Sequence, residues 1–104
     1  MALHKIAKTE DLPPGSSRVV EVADKSLAVF NVEGTFYVID NHCTHDGAPL
    51  AEGEVRDGCV ICPWHAAEFD LVTGEALTPP AVEDVRSYKV LVSEGDICID
   101  LDEQ

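Results

Sequence analysis

Two short stretches, CTHDGAPL at 43–50 and CPWHAAEFD at 62–70, each carry a Cys–His pair. One residue separates Cys43 from His45, two separate Cys62 from His65, and sixteen lie between His45 and Cys62. Thiolate and imidazole are ligands for zinc and iron, and four of them can fill one tetrahedral site or divide over two metals. A structural zinc normally takes ligand pairs about two to four residues apart, so the single-residue gap of Cys43–Thr44–His45 is short for it. The order Cys-His, Cys-His also differs from zinc fingers, where the cysteines form one pair and the histidines another. If both cysteines serve one iron and both histidines a second, each segment must supply one ligand to each metal. A [2Fe–2S] centre with His replacing Cys on one iron is built that way. Zinc and the two-iron centre share this donor set, so the neighbouring residues must decide between them.

The elements that would hold these ligands read as short strands. SRVVEVAD, SLAVFNVE and TFYVID are rich in β-branched and aromatic residues with partial alternation. Turns are expected near Asp24–Lys25 and at Glu33–Gly34, where the glycine suits a positive φ. The segment VRSYKVLVSEGDICIDL repeats the pattern around an SEGD turn. No long stretch keeps a 3.6-residue period, and the expected fold is all-β, an antiparallel sandwich or barrel. TFYVIDN delivers the first pair at a strand end. EVRDGCVICPWH reads as a hairpin delivering the second, and EFDLVTGEAL as a further hairpin around Thr73–Gly74. The prolines of LTPPAVED make a stiff segment suited to cover a site at the loop tips.

Composition narrows the function. The 104 residues fit one domain, with 20 acidic against 7 basic side chains and a net charge of −13. Phosphates and anionic lipid would repel such a chain, whereas a basic protein face would attract it. No apolar run approaches the roughly 20 residues of a membrane span, and MALHKIAKTE lacks the features of an export signal, so a cytoplasmic protein is expected. In that compartment the Cys–His pairs read as metal ligands, and Cys59 and Cys98 as core or strand residues.

The two boxes resemble those of Rieske proteins, C-x-H-x-G-x-x-L and C-P-x-H-G-x-x-F-D, at the family's usual separation. Length, strand content and the proline loop are similar to soluble Rieske-type ferredoxins. The resemblance implies a Rieske-type antiparallel β fold with a small two-loop cluster-binding subdomain at about 41–82 within a single domain, 1–104. It implies one [2Fe–2S] cluster, with Cys43 and Cys62 on the inner iron and His45 and His65 on the outer. Gly47 would let the first loop turn tightly, and Pro79 and Pro80 would cover the site. Ala66 departs from the family's usual glycine. His42 has no matching position and is expected to face solvent, and His4 carries no signal. Trp64 either shields the loop or serves as a docking contact.

Rieske proteins of respiratory and photosynthetic complexes carry two further cysteines that form a disulfide. Ala48 and Trp64 stand at those positions here. Their serine and tyrosine, whose hydroxyls donate to the cluster and to a cysteine sulfur, align with Ala67 and Phe69. Fewer donors destabilise the more negative, reduced state, so the resemblance implies a potential nearer roughly −150 than +300 mV. It implies a monomeric electron carrier, with no catalytic residues, between a flavin-dependent ferredoxin reductase and a terminal ring-hydroxylating oxygenase. No nucleic acid or membrane partner is expected. Docking is expected through Pro49, Leu50, Trp64 and Pro79. The alternatives are the small Rieske subunit of an assimilatory nitrite reductase and a zinc-stabilised interaction module without redox function.

Overall fold

A computed structural model describes residues 3–22, 25–42, 49–63, 67–77 and 84–100. They form nine strands: β1 Leu3–Lys8, β2 Ser17–Val22, β3 Lys25–Val32, β4 Thr35–Asp40, β5 Glu54–Arg56, β6 Cys59–Ile61, β7 Glu68–Asp70, β8 Ser87–Ser93 and β9 Asp96–Asp100. Among the described residues there is no α-helix, only 3-10 turns at Thr9–Asp11 and Leu50–Glu52. The all-β, antiparallel expectation holds.

Six strands form one antiparallel sheet in the order β1-β9-β8-β4-β3-β2, whose edge strands β1 and β2 touch and nearly close it into a barrel. A separate three-stranded sheet, β5-β6-β7, is inserted between β4 and β8. Three hairpins turn on two residues that both have positive φ: Glu33–Gly34 (52° and 93°), Asp57–Gly58 (52° and 79°) and Glu94–Gly95 (50° and 80°). That geometry matches the right-handed twist of the paired strands. The hairpins expected at EVRDGC and at SEGD are thereby realised. Asp24, of the expected Asp24–Lys25 turn, lies outside the described residues, and Lys25 already begins β3. The Thr73–Gly74 return pairs through a single Phe69–Ala76 bridge.

Strand β3 explains how the two sheets meet. Leu27, Ala28, Val29 and Phe30 are all buried, although a strand with one wet face would alternate. Leu27 and Val29 join Leu12, Val38, Tyr88, Ile97 and Ile99 inside the barrel. Ala28 and Phe30 pack on the opposite face with Ile39, Leu50, Val60, Cys62, Phe69, Leu71 and Val85, which belong to the insert and its flanks. Burying a side chain the size of Phe30 or Phe69 stabilises by about 1.5–3 kcal/mol. A typical hydrogen bond contributes about 1 kcal/mol net. Packing therefore holds the small sheet to the barrel, and bonds such as Ser17 Oγ–H to Ala51 O (2.6 Å) fix its position.

β4 and β8 pair at only Val38–Tyr88 and Ile39–Ser87. Polar contacts beyond the ladder continue the join. Asp40 N–H donates to Arg86 O at 3.0 Å, and Tyr88 Oη–H donates to Asp40 Oδ1 at 2.7 Å. Burial first, and the bond to Asp40 second, push the Tyr88 phenol well above its ordinary ionisation range.

A phenol whose folded pKa is raised contributes stability that is complete below its unfolded pKa, about 10, and declines above it. Urea unfolding between pH 8 and 11 should show wild-type stability falling above about pH 10 more steeply than that of Tyr88→Phe. Parallel slopes would exclude this linkage. A second expectation concerns Gly74, at φ 80°, where an added Cβ would lie 2.0 Å from Val85 O. Gly74→Ala should cost more than about 2 kcal/mol, and Gly58→Ala, with φ 79° but open space around it, only about 1–2 kcal/mol. Thermal denaturation of the two variants checks the order.

Candidate metal centre

Three chain segments leave the insert and its flanks, and the described residues show how each is fastened at its base. Residues 43–48, 64–66 and 78–83 lie outside the described residues. Cys43, His45, Gly47, Ala48, Trp64, His65, Ala66, Pro79 and Pro80 fall there, and of the four expected ligands only Cys62 is described.

The first segment leaves β4 through Asn41 and His42. Asn41 is buried, and its polar groups are used. Its N–H donates to Ser26 O at 2.9 Å, and its backbone O accepts from Leu50 N–H at 2.5 Å. Its Oδ1 accepts from Ala51 N–H at 3.0 Å. One side chain and one peptide unit thus tie together β3, the strand that leads into the segment, and the 3-10 turn that follows it. An unsatisfied buried amide would cost about 1–3 kcal/mol, which gives this clamp its definition. A bridge between His42 and Pro49 closes the same base one residue further out.

The second segment is closed by Cys62 N–H donating to Ala67 O at 2.7 Å. Cys62 is only 2% exposed and belongs to the apolar cluster beneath the insert, as do Ala67 and Phe69, both fully buried. The third is closed twice: Ala76 N–H donates to Asp84 Oδ1 at 2.9 Å, and Val85 N–H to Gly74 O at 2.9 Å. Leu50, Cys62, Ala67 and Val85 share one buried cluster, so the feet of all three segments stand on the same core.

This arrangement fits a soft, partly buried metal centre. A buried thiol at the foot of a closed turn is where a thiolate ligand is held with its rotamer limited by packing. No hydroxyl is available from Ala67 or Phe69 to donate to its sulfur. The donor set of the two boxes suits a [2Fe–2S] centre of mixed ligation. Cys59 and Cys98 lie on β6 and β9 as strand residues, half-buried rather than in the core. Burial, followed by the charges of Asp70, Glu68 and Asp57, raises the Cys59 thiol above its ordinary value. It stands on β6, outside the two Cys–His boxes.

His42 faces solvent, as expected. Leu50 does not belong to a docking tip: it is 0% exposed, packed with Phe30 and Phe69 as part of the core. The apolar residue that ends the first box is the anchor of its loop, while Pro49 remains half-buried at the surface. Sequence reasoning also passed over Asn41. The signal pointing to it is an amide residue directly after a strand and before a ligand loop, where such side chains stabilise turns.

Comparison with known proteins adds the family. The family model for the Rieske [2Fe-2S] domain matches residues 2–89. The 3-phenylpropionate/cinnamic acid dioxygenase ferredoxin subunit of Escherichia coli (strain K12) is 43% identical over 94 residues, covering 89% of this chain and 88% of that protein. The ferredoxin of carbazole 1,9a-dioxygenase from Nocardioides aromaticivorans IC177 superposes with a TM-score of 0.89 at 29% identity, covering 95% of this chain and 97% of its own. A ferredoxin solved in complex with the oxygenase of carbazole 1,9a-dioxygenase gives 0.85 at 32% identity, with 93% and 91% covered. With a matching domain over most of its length, two Cys–His boxes and a buried thiol where the second box begins, the chain belongs to the Rieske [2Fe-2S] domain family.

Proposed function

We propose that this protein is a ferredoxin carrying single electrons from a flavin-dependent reductase to a terminal ring-hydroxylating oxygenase. The observation that carries the reading is the near full-length similarity to the dioxygenase ferredoxin subunit. The similarity to a ferredoxin solved in complex with its oxygenase supports the choice of partner. The chain acts as a monomer and a single domain, 1–104, with residues of about 41–82 forming the cluster-binding subdomain.

In this reading Cys43 and Cys62 hold one iron of a [2Fe–2S] cluster through thiolate sulfur, and His45 and His65 hold the other through ring nitrogen. When bound, such a cluster supplies reversible one-electron chemistry. The chain's own residues set the conditions. The apolar cluster around Cys62 keeps water from the thiolate side. Ala67 and Phe69 offer no hydroxyl to the sulfurs, which leaves the added negative charge of the reduced state less compensated. Arg56 is the only basic residue between Asn41 and Leu77, against seven acidic ones, so the insert repels an added electron and attracts a basic partner face.

Protein purified with its native metal should contain iron and labile sulfide in equal amounts and give a mixed-ligand EPR spectrum after dithionite reduction. His45→Ala or His65→Ala should abolish or alter the signal, and Cys59→Ser and Cys98→Ser should preserve it. Stoichiometric zinc would overturn the reading in favour of an interaction module. Electron delivery to nitrite reductase but to no oxygenase would overturn the partner.

The potential provides a separate check. Ala67→Ser and Phe69→Tyr should each raise the midpoint, which for the wild type should lie in the lower part of the range of roughly −150 to +300 mV. Voltammetry of cluster-loaded protein reads this directly. A wild-type value near the top would exclude the missing-hydroxyl account.

A further inference from the structure

The chain entering the first ligand segment and the chain leaving the proline segment meet, at Asp40, Arg86 and Tyr88, in a set of polar groups that no ligand motif includes. Asp40 ends β4, and only Asn41 and His42 separate it from Cys43, three Cα steps that span about 11 Å at full extension. Its carboxylate is half-buried and accepts on both oxygens: Oδ1 from Tyr88 Oη–H at 2.7 Å, and Oδ2 from Arg86 N–H at 3.4 Å. Its own N–H donates back to Arg86 O at 3.0 Å. The Arg86 guanidinium lies over the Tyr88 ring, with Cζ 5.2 Å from the centroid. Tyr88 is only 5% exposed. Asp84, Val85 and Arg86 lead out of the covering segment into β8, so this network joins the start of one loop to the end of another.

We propose that Asp40, Tyr88 and Arg86 form a positioning and charge-tuning network for the metal centre, in which Tyr88 holds one negative and one positive group in fixed places behind the first ligand loop. The proposal rests on the cluster reading given above. Both charged groups are half-buried, where salt screens much less than at an open surface, and the stretch from Asp40 to Cys43 spans at most about 11 Å, between one and two Debye lengths of about 8 Å each. Their fields are therefore incompletely screened at the centre. Taking up an electron adds one negative charge there. The Asp40 carboxylate opposes that charge and the Arg86 guanidinium favours it. Tyr88 contributes no charge, because its proton stays on the phenol that donates to Asp40, and its ring supports the guanidinium.

The two charges have opposite signs, which separates tuning from a merely structural role. Cluster-loaded full-length protein is compared by voltammetry and EPR for the wild type, Asp40→Asn, Arg86→Gln, Arg86→Lys and Tyr88→Phe, with iron content and melting temperature measured alongside. Asp40→Asn keeps one of the two acceptor oxygens, enough for the Tyr88 bond, and removes the charge, so the midpoint should shift up. Arg86→Gln should shift it down, while Arg86→Lys, which retains the charge, should move it by less than half as much. Tyr88→Phe should broaden the EPR line without matching the Asp40→Asn shift. Shifts of the same sign in Asp40→Asn and Arg86→Gln, or none in fully loaded protein, overturn the proposal. If Asp40→Asn fails to fold, the Arg86 pair still decides by its own sign and order. Wild-type protein lacking iron and sulfide overturns the cluster reading itself, a result distinct from an unmoved potential in loaded protein.

Discussion

A strand with a core on each face is the constraint from which the rest of this structure follows. Leu27 and Val29 of β3 belong to the barrel interior, and Ala28 and Phe30 to the core under the insert. Successive side chains of a strand point to opposite faces, so a one-residue slip would exchange the two sets. Phe30 would enter the barrel and Leu27 would face the insert. The pairings of β3 with β2 and β4, from Leu27–Val20 and Leu27–Asp40 onward, are therefore fixed by two packing problems at once. The insert inherits that definition. Its small sheet has only three residues in each strand, and its apolar face is covered by lying on Ala28 and Phe30 of β3 and Ile39 of β4.

The shared core also gives loops, which by themselves are the least defined parts of a fold, fixed bases from which ligands could be held. Each of the three segments is closed at its base by short hydrogen bonds, and an apolar residue at or beside each base is buried in the same cluster. Leu50, Cys62 and Val85 thus play one structural part in three places. The thiol of Cys62 differs in that, under the proposed cluster reading, it would serve both the packing and the chemistry. A ligand whose backbone and neighbours are packed is pre-organised for its metal, with less to rearrange when charge changes.

Charge is arranged as unevenly as packing. Six of the seven basic residues belong to the barrel strands or the segments joining them, and Arg56 alone stands in the insert, where it pairs with Glu54 at 2.9 Å. That exposed pair contributes little stability. The remaining acidic side chains of the insert leave a negative field around the candidate centre, and the missing hydroxyls at Ala67 and Phe69 act in the same direction. Against both stands the guanidinium of Arg86, fixed over Tyr88 at the barrel end.

Much of this was legible locally. The donor set and its spacing lie within two windows of eight and nine residues, and ligand chemistry depends on residue type before it depends on fold. Glu33–Gly34, Asp57–Gly58 and Glu94–Gly95 mark their hairpins because a two-residue turn demands positive φ at positions that glycine adopts readily. What the chain could not disclose on its own were contacts between distant segments. Leu50 reads as an apolar loop residue available for docking, and only the arrival of Phe30 and Phe69 from other strands makes it core. Asn41 becomes a clamp because Ser26 and Ala51 come to either side of it. Tyr88 meets Asp40 across 48 residues of sequence. Local sequence specifies turn geometry and donor chemistry through the properties of adjacent residues. Burial and long-range hydrogen bonding depend on strand register, which is decided only when both faces of β3 are packed.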